Sequence, residues 1–114
     1  MLFADYNSTT PLDPAVKKAM AEAMEVWGNP SSIHAAGRSA KKLLEESRRL
    51  VANRLGVGPD EVVFTSGGSE ANTLAIWGSY LACEDPAGFR LLTSGVEHSS
   101  IRDAVKSLEG PEHG

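Results

Sequence analysis

The chain has 114 residues, 41% of them hydrophobic and 23% charged, a balance that excludes a low-complexity or disordered chain and leaves room for about one domain. Its formal net charge of −4 argues against a nucleic-acid or anionic-membrane partner, since both need clustered Lys and Arg. A single cysteine, Cys83, excludes an internal disulfide and a multi-cysteine zinc site, and no apolar run reaches the ~18 residues of a membrane span.

MLFADYNSTTPL, residues 1–12, opens with a short apolar run that lacks the basic-then-apolar build of a signal peptide, then turns polar at Asn7, Ser8, Thr9 and Thr10. A brief strand followed by a loop is expected here, in a chain expected to be cytoplasmic. Asp13-Pro14 reads as a helix start, with Asp13 as the cap and Pro14 at the position where a missing N–H costs nothing. Val16, Met20, Met24 and Trp27 then form one stripe at helical spacing, up to a stop at Gly28-Asn29-Pro30. A longer helix is expected from about Ser32 to Leu55. Ala36, Ala40, Leu43, Leu44, Leu50, Val51 and Leu55 recur at intervals of three and four, Lys41, Lys42, Glu45, Glu46, Arg48 and Arg49 take the other face, and Gly56 supplies the stop.

EVVFT, residues 61–65, is β-branched and aromatic and lies between Gly58-Pro59-Asp60 and Gly67-Gly68, so a buried strand is expected. Residues 70–82 read as a helix, residues 84–88 as a turn, and FRLLT, residues 89–93, as a second strand. A final helical pattern runs through Ile101, Val105 and Leu108. The order strand, helix, strand, helix implies an α/β chain with a parallel sheet and crossover helices. Two strands do not complete such a sheet, which is normally covered on both faces. With the chain ending at Gly110-Pro111-Glu112-His113-Gly114, it is expected to be the opening portion of something larger.

The two strand-to-helix joints are where chemistry is expected. At TSGGSE, residues 65–70, a glycine-rich turn leads into a helix whose free N–H groups and dipole favour an anion. Gly67 and Gly68 let the main chain approach a phosphate, and Ser69 can add a hydroxyl donor. The alternative is that Ser69 only caps the helix. The spacing matches neither the Walker motif nor Gly-x-Gly-x-x-Gly, which disfavours a nucleotide and leaves another phosphorylated ligand. At TSGVEHSSI, residues 93–101, His98 would stand on the same sheet edge and could stack on an aromatic ring. Spacing alone favours the plainer reading, in which His98 sits in the first helical turn.

The ordered series ADYNSTTPLDPAV, GNPSSIHAAGRSAKKLLEESRRLVANRLG, EVVFTSGGSEANTLAI and LLTSGVEHSSI resembles the N-terminal part of cysteine desulfurases, pyridoxal-phosphate enzymes of the class-V aminotransferase group. The resemblance implies a partial PLP-transferase (aspartate aminotransferase-like, fold type I) architecture. Residues 1–57 would form an N-terminal arm and helices, and residues 58–114 the first part of the cofactor-binding sheet. It carries the family's phosphate-binding turn onto Gly68 and Ser69, where Ser69 stands in place of a common Thr, and the ring-stacking, proton-moving histidine onto His98. Asn29, His34 and the Asn7 to Thr10 segment fall where the family lines the mouth of the site or the dimer contact. The implied reaction converts L-cysteine to L-alanine and leaves the sulfur on a protein thiolate. Sulfur transfer of this kind serves iron–sulfur cluster assembly, with a homodimer and a sulfur-acceptor protein as partners.

The same resemblance marks what these 114 residues lack. The family's cofactor lysine, its ring-nitrogen aspartate and its persulfide cysteine fall beyond residue 114. Lys17, Lys18, Lys41, Lys42 and Lys106 lie in amphipathic helix patterns, mostly on charged faces, Asp5 follows the short expected strand, Asp13 caps, Asp60 and Asp85 sit in turns, Asp103 lies in a helix, and Cys83 does not match the persulfide position. The chain alone is therefore expected to be inactive. A class-V aminotransferase or a selenocysteine lyase fragment is the neighbouring alternative, with NPSSIHAAGR leaning toward desulfurase. A non-catalytic remnant acting only by association is the third.

Overall fold

Asp13 begins the first helix as its position predicts: in the computed structural model, which describes residues 2–109, its Oδ1 accepts the Ala15 N–H at 2.7 Å and Pro14 follows at the first helical position. Met1 and the terminal residues 110–114, on which the expected first strand and the expected chain stop partly fall, lie outside the described residues. The chain divides into two compact units, Met1–Val62 and Val63–Gly114.

In the first unit α1 spans Pro14–Met24 and α2 spans Ala35–Leu55, followed by one turn of 3-10 helix at Pro59–Glu61. The first helix ends before Gly28, which has another duty. Its φ is +142°, and a Cβ there would lie 2.6 Å from the Ala36 carbonyl oxygen. Gly28 thus lets the connecting segment pass against the start of α2. Asn29 holds the same turn, accepting from Ser31 N–H through its side chain and from Ser32 N–H through its carbonyl, each at 2.9 Å. Gly37 is buried against this turn. At the far end of α2, Gly56 takes the left-handed cap that its position predicts, with φ +72°. Arg48 pairs with Glu45 at 3.3 Å and donates to the Val62 carbonyl, which ties α2 to the chain after the 3-10 turn.

In the second unit α3 spans Gly68–Leu81 and α4 spans Ser99–Leu108. Asn72 Nδ2 donates to Ser100 Oγ and Trp77 Nε1 donates to Ser107 Oγ, both at 2.9 Å. The partners advance together along both helices, so α3 and α4 run in the same direction. Ala104, 5% exposed, gives α4 a small residue at this contact, while Ile101, Val105 and Leu108 turn their half-buried face inward. Tyr80 at the end of α3 meets the Phe89 ring edge-on at 5.5 Å.

Three expectations are corrected. Residues 2–12 hold a turn, with Ser8 and Thr9 N–H bonded to the Asp5 carbonyl, and no strand. Residues 61–65 and 89–93 are not strands either, because no β-ladder forms among the described residues. A strand exists only through its neighbours, and branched residues record fitness for a sheet rather than the presence of one. The helix stripes are also less buried than their spacing suggests: Met24, Trp27, Leu50 and Leu55 are all more than two-thirds exposed. The architecture described is therefore helical, with α3 and α4 of the second unit running in a common direction. No helix among the described residues is long and apolar enough to cross a membrane.

Candidate functional site

The turn before α3 is built so that its N–H groups stay uncovered. Gly67, the N-cap, has extended backbone at φ 170° and no side chain with which to accept, so the first-turn amides of Gly68, Ser69 and Glu70 meet no side-chain cap. The other three α-helices are each capped by a side chain: Asp13 accepts from Ala15, His34 Nδ1 from Gly37, and His98 Nδ1 from Ser100. A Cβ at Gly67 or Gly68 would meet nothing within 4 Å, so the space over this turn is open to a ligand.

The turn is held from below instead. Glu70 reaches back and accepts from both Ser66 N–H and Ser66 Oγ at 2.6 Å, and Thr65 Oγ1 donates to the Gly67 carbonyl at 3.1 Å. The Ser66 hydroxyl, and after it the Ser66 N–H, hold the Glu70 carboxyl below its ordinary value of 4.5, against a small opposing effect of burial. In a capping box the third helical residue accepts from the N-cap N–H; Glu70 instead reaches one residue further back, to Ser66.

His98 stands at the N-cap of α4, and its Nδ1 accepts from Ser100 N–H at 3.2 Å. The plainer sequence reading, a histidine at the helix start, is therefore the local structure. That bond puts a neutral ring's hydrogen on Nε2. Ser100 Oγ lies 2.8 Å from the same Nδ1 and takes a hydrogen bond from Asn72, so a side-chain relay runs from α3 to His98. Asn72 and Ser100 were not singled out in the sequence, because nothing in a separation of 28 residues announces a contact. The His98 ring itself is exposed.

The common direction of α3 and α4 brings the two joints to one end of the unit. Ser69 and Thr73 of α3 line a cavity of about 370 Å³ together with Ser99, Ser100 and Asp103 of α4. The unused donors of the Gly68-Ser69 turn suit a phosphate, so the residues present fit the anionic end of pyridoxal phosphate. They do not supply its covalent end. Lys18 and Lys42 pair with Glu22 and Glu46 at 3.8 Å on exposed helix faces, and Lys17, Lys41 and Lys106 are exposed as well. Cys83 is half-buried with Sγ 3.3 Å from the Asp85 carbonyl oxygen. No group of three or more His, Cys, Asp or Glu among the described residues could hold a metal. Asn29 and His34 organise the turn and cap that begin α2.

The sequence profile of the class-V aminotransferase family matches residues 2–112. Over 110 residues the chain is 44% identical to an IscS-like cysteine desulfurase of Mycobacterium tuberculosis, an alignment that covers 95% of this chain and 28% of that protein. It is 42% identical to a selenocysteine lyase of Bos taurus, covering 94% of this chain and 28% of the relative. A cysteine desulfurase of Frankia is 43% identical over 92% of this chain and 25% of its own length. The chain thus spans little more than a quarter of the curated relatives it matches.

Proposed function

The chain belongs to the class-V aminotransferase family, and from that premise we propose that it serves as the N-terminal, cofactor-placing part of a pyridoxal-phosphate-dependent cysteine desulfurase. The observation that carries the reading is the uncapped, open first turn of α3. In it Gly68 and Ser69 offer backbone N–H groups, and Ser69 a hydroxyl, to a phosphate at the positive end of the helix dipole.

When bound, pyridoxal phosphate supplies an electron-withdrawing ring on which an amino acid substrate is transformed. The residues of this chain orient that ring. Gly68 and Ser69 would hold the phosphate and His98 would hold the ring, its imidazole fixed by Ser100 and Asn72 through Nδ1, which leaves Nε2–H to hold or move a proton. The substrate is L-cysteine, the products L-alanine and a protein-bound sulfur for an acceptor protein, and the setting a cytoplasmic homodimer. Selenocysteine lyase is the second reading, favoured by the bovine relative.

Placement without covalent chemistry predicts two outcomes for the 114-residue chain. Mixed with pyridoxal phosphate and reduced with borohydride, it gains no stable label on any lysine, as mass spectrometry would show. Incubated with cysteine and the cofactor, it releases no alanine, and alanine formation by this chain alone would overturn the division of labour. In a protein that joins this segment to the cofactor lysine, alanine release from cysteine but not selenocysteine, or the reverse, decides between the two readings.

A further inference from the structure

A phosphate cup needs donors that are both exposed and held still, and these demands conflict at a helix start. A side chain that caps the helix occupies the very N–H groups an anion would use, as Asp13, His34 and His98 do in their helices. A helix start with no support frays. In α3 the conflict is resolved by Glu70, whose carboxylate takes the Ser66 N–H and Ser66 Oγ, both at 2.6 Å and both ahead of the N-cap. The residue between, Gly67, has no side chain to fold over the turn, and the space above Gly67 and Gly68 is clear.

We propose that Glu70 is a positioning residue of the phosphate cup: its carboxylate clamps Ser66 and so fixes the turn while leaving the Gly68 and Ser69 amides free for a phosphate. This rests on the cofactor-placing reading above. It adds a residue whose charge has the wrong sign to touch phosphate and which acts only through Ser66. Both Ser66 donors fall on one carboxylate oxygen, Oε2, so the carboxylate is engaged by the segment ahead of the helix and not by its first-turn amides.

The test uses the 114-residue chain, pyridoxal phosphate as probe, and two readouts: the amide shifts of Gly68 and Ser69 during titration, and helix content by far-ultraviolet circular dichroism. Wild type is expected to show saturable shifts at these two amides. Glu70→Ala should weaken binding roughly three- to tenfold, the range of a lost capping contact, and Glu70→Gln, whose amide oxygen can still accept from Ser66, should stay within about twofold of wild type. The deciding variant is Gly67→Ser in the Glu70→Ala background, where the new hydroxyl caps α3 in the ordinary way. Position 67 has extended backbone and free space for the added side chain. Helix content should return while phosphate affinity does not. If affinity returns with it, or if Glu70→Ala binds as wild type does, Glu70 serves helix stability alone and the inference fails. If wild type shows no shift at Gly68 and Ser69, the cup reading itself fails and this inference falls with it.

Discussion

Single residues in this chain carry conformational duties that their neighbours cannot take over. Gly28 and Gly56 both have positive φ, but they differ in surroundings. Gly28 faces the Ala36 carbonyl at 2.6 Å from where a Cβ would sit, whereas nothing lies within 4 Å of the corresponding point at Gly56. Gly56→Ala is therefore expected to cost only the left-handed backbone penalty of about 1 kcal/mol. Gly28→Ala adds a clash with main chain and should cost about 1–3 kcal/mol. Denaturant unfolding of the two variants followed by circular dichroism checks the order, which reverses if the 28–36 approach is unimportant. The sequence marked both glycines as helix stops. Only Gly56 is one, because a stop signal and a close-approach signal use the same residue.

Helices were legible, and the joints between them partly so. Asp13-Pro14 and Gly56 carried their own boundary chemistry, and the three-and-four spacing of Ile101, Val105 and Leu108 carried the inner face of α4. The segments 61–65 and 89–93 carried only composition, which cannot state whether a neighbour is there to pair. At the candidate site the Gly67-Gly68 turn and His98 were readable from residue type. The Glu70 clamp and the Asn72–Ser100 link depend on where side chains point, which spacing does not encode. The clamp gives α3 a pH signature. A carboxyl held below its ordinary value contributes stability that is fully present above that value and is lost as pH falls through the depressed one. Amide exchange at Ser66, whose N–H the carboxylate holds, and at Ala71, whose N–H bonds the Gly67 carbonyl, should accelerate as pH drops below the ordinary 4.5, once corrected for intrinsic rates, and Glu70→Gln should lack the transition. An identical acid response in that variant would assign the change to another group.

For the molecule as a whole, the limiting feature is the core. Among the described residues the buried hydrophobic side chains are Ala52 and Ala104, and no large side chain is fully buried. Apolar groups such as Trp27, Leu50 and Leu92 stay in water, where burial of each would stabilise a fold by about 1.5–3 kcal/mol. Such surface drives association. Sedimentation of the isolated chain is expected to show a mass that rises with concentration, and a monomer of constant mass with a sharp reversible unfolding transition would contradict this. The two units also face salt differently. The ion pairs at Lys18, Lys42 and Arg48 all belong to the first unit, and dissolved electrolyte weakens such attractions. In the second unit, α3 and α4 lie with the same polarity, so the partial positive ends of their peptide dipoles crowd together, and the negative ends likewise. Counter-ions quiet that mutual repulsion, so electrolyte that loosens one half of the polypeptide relieves the other.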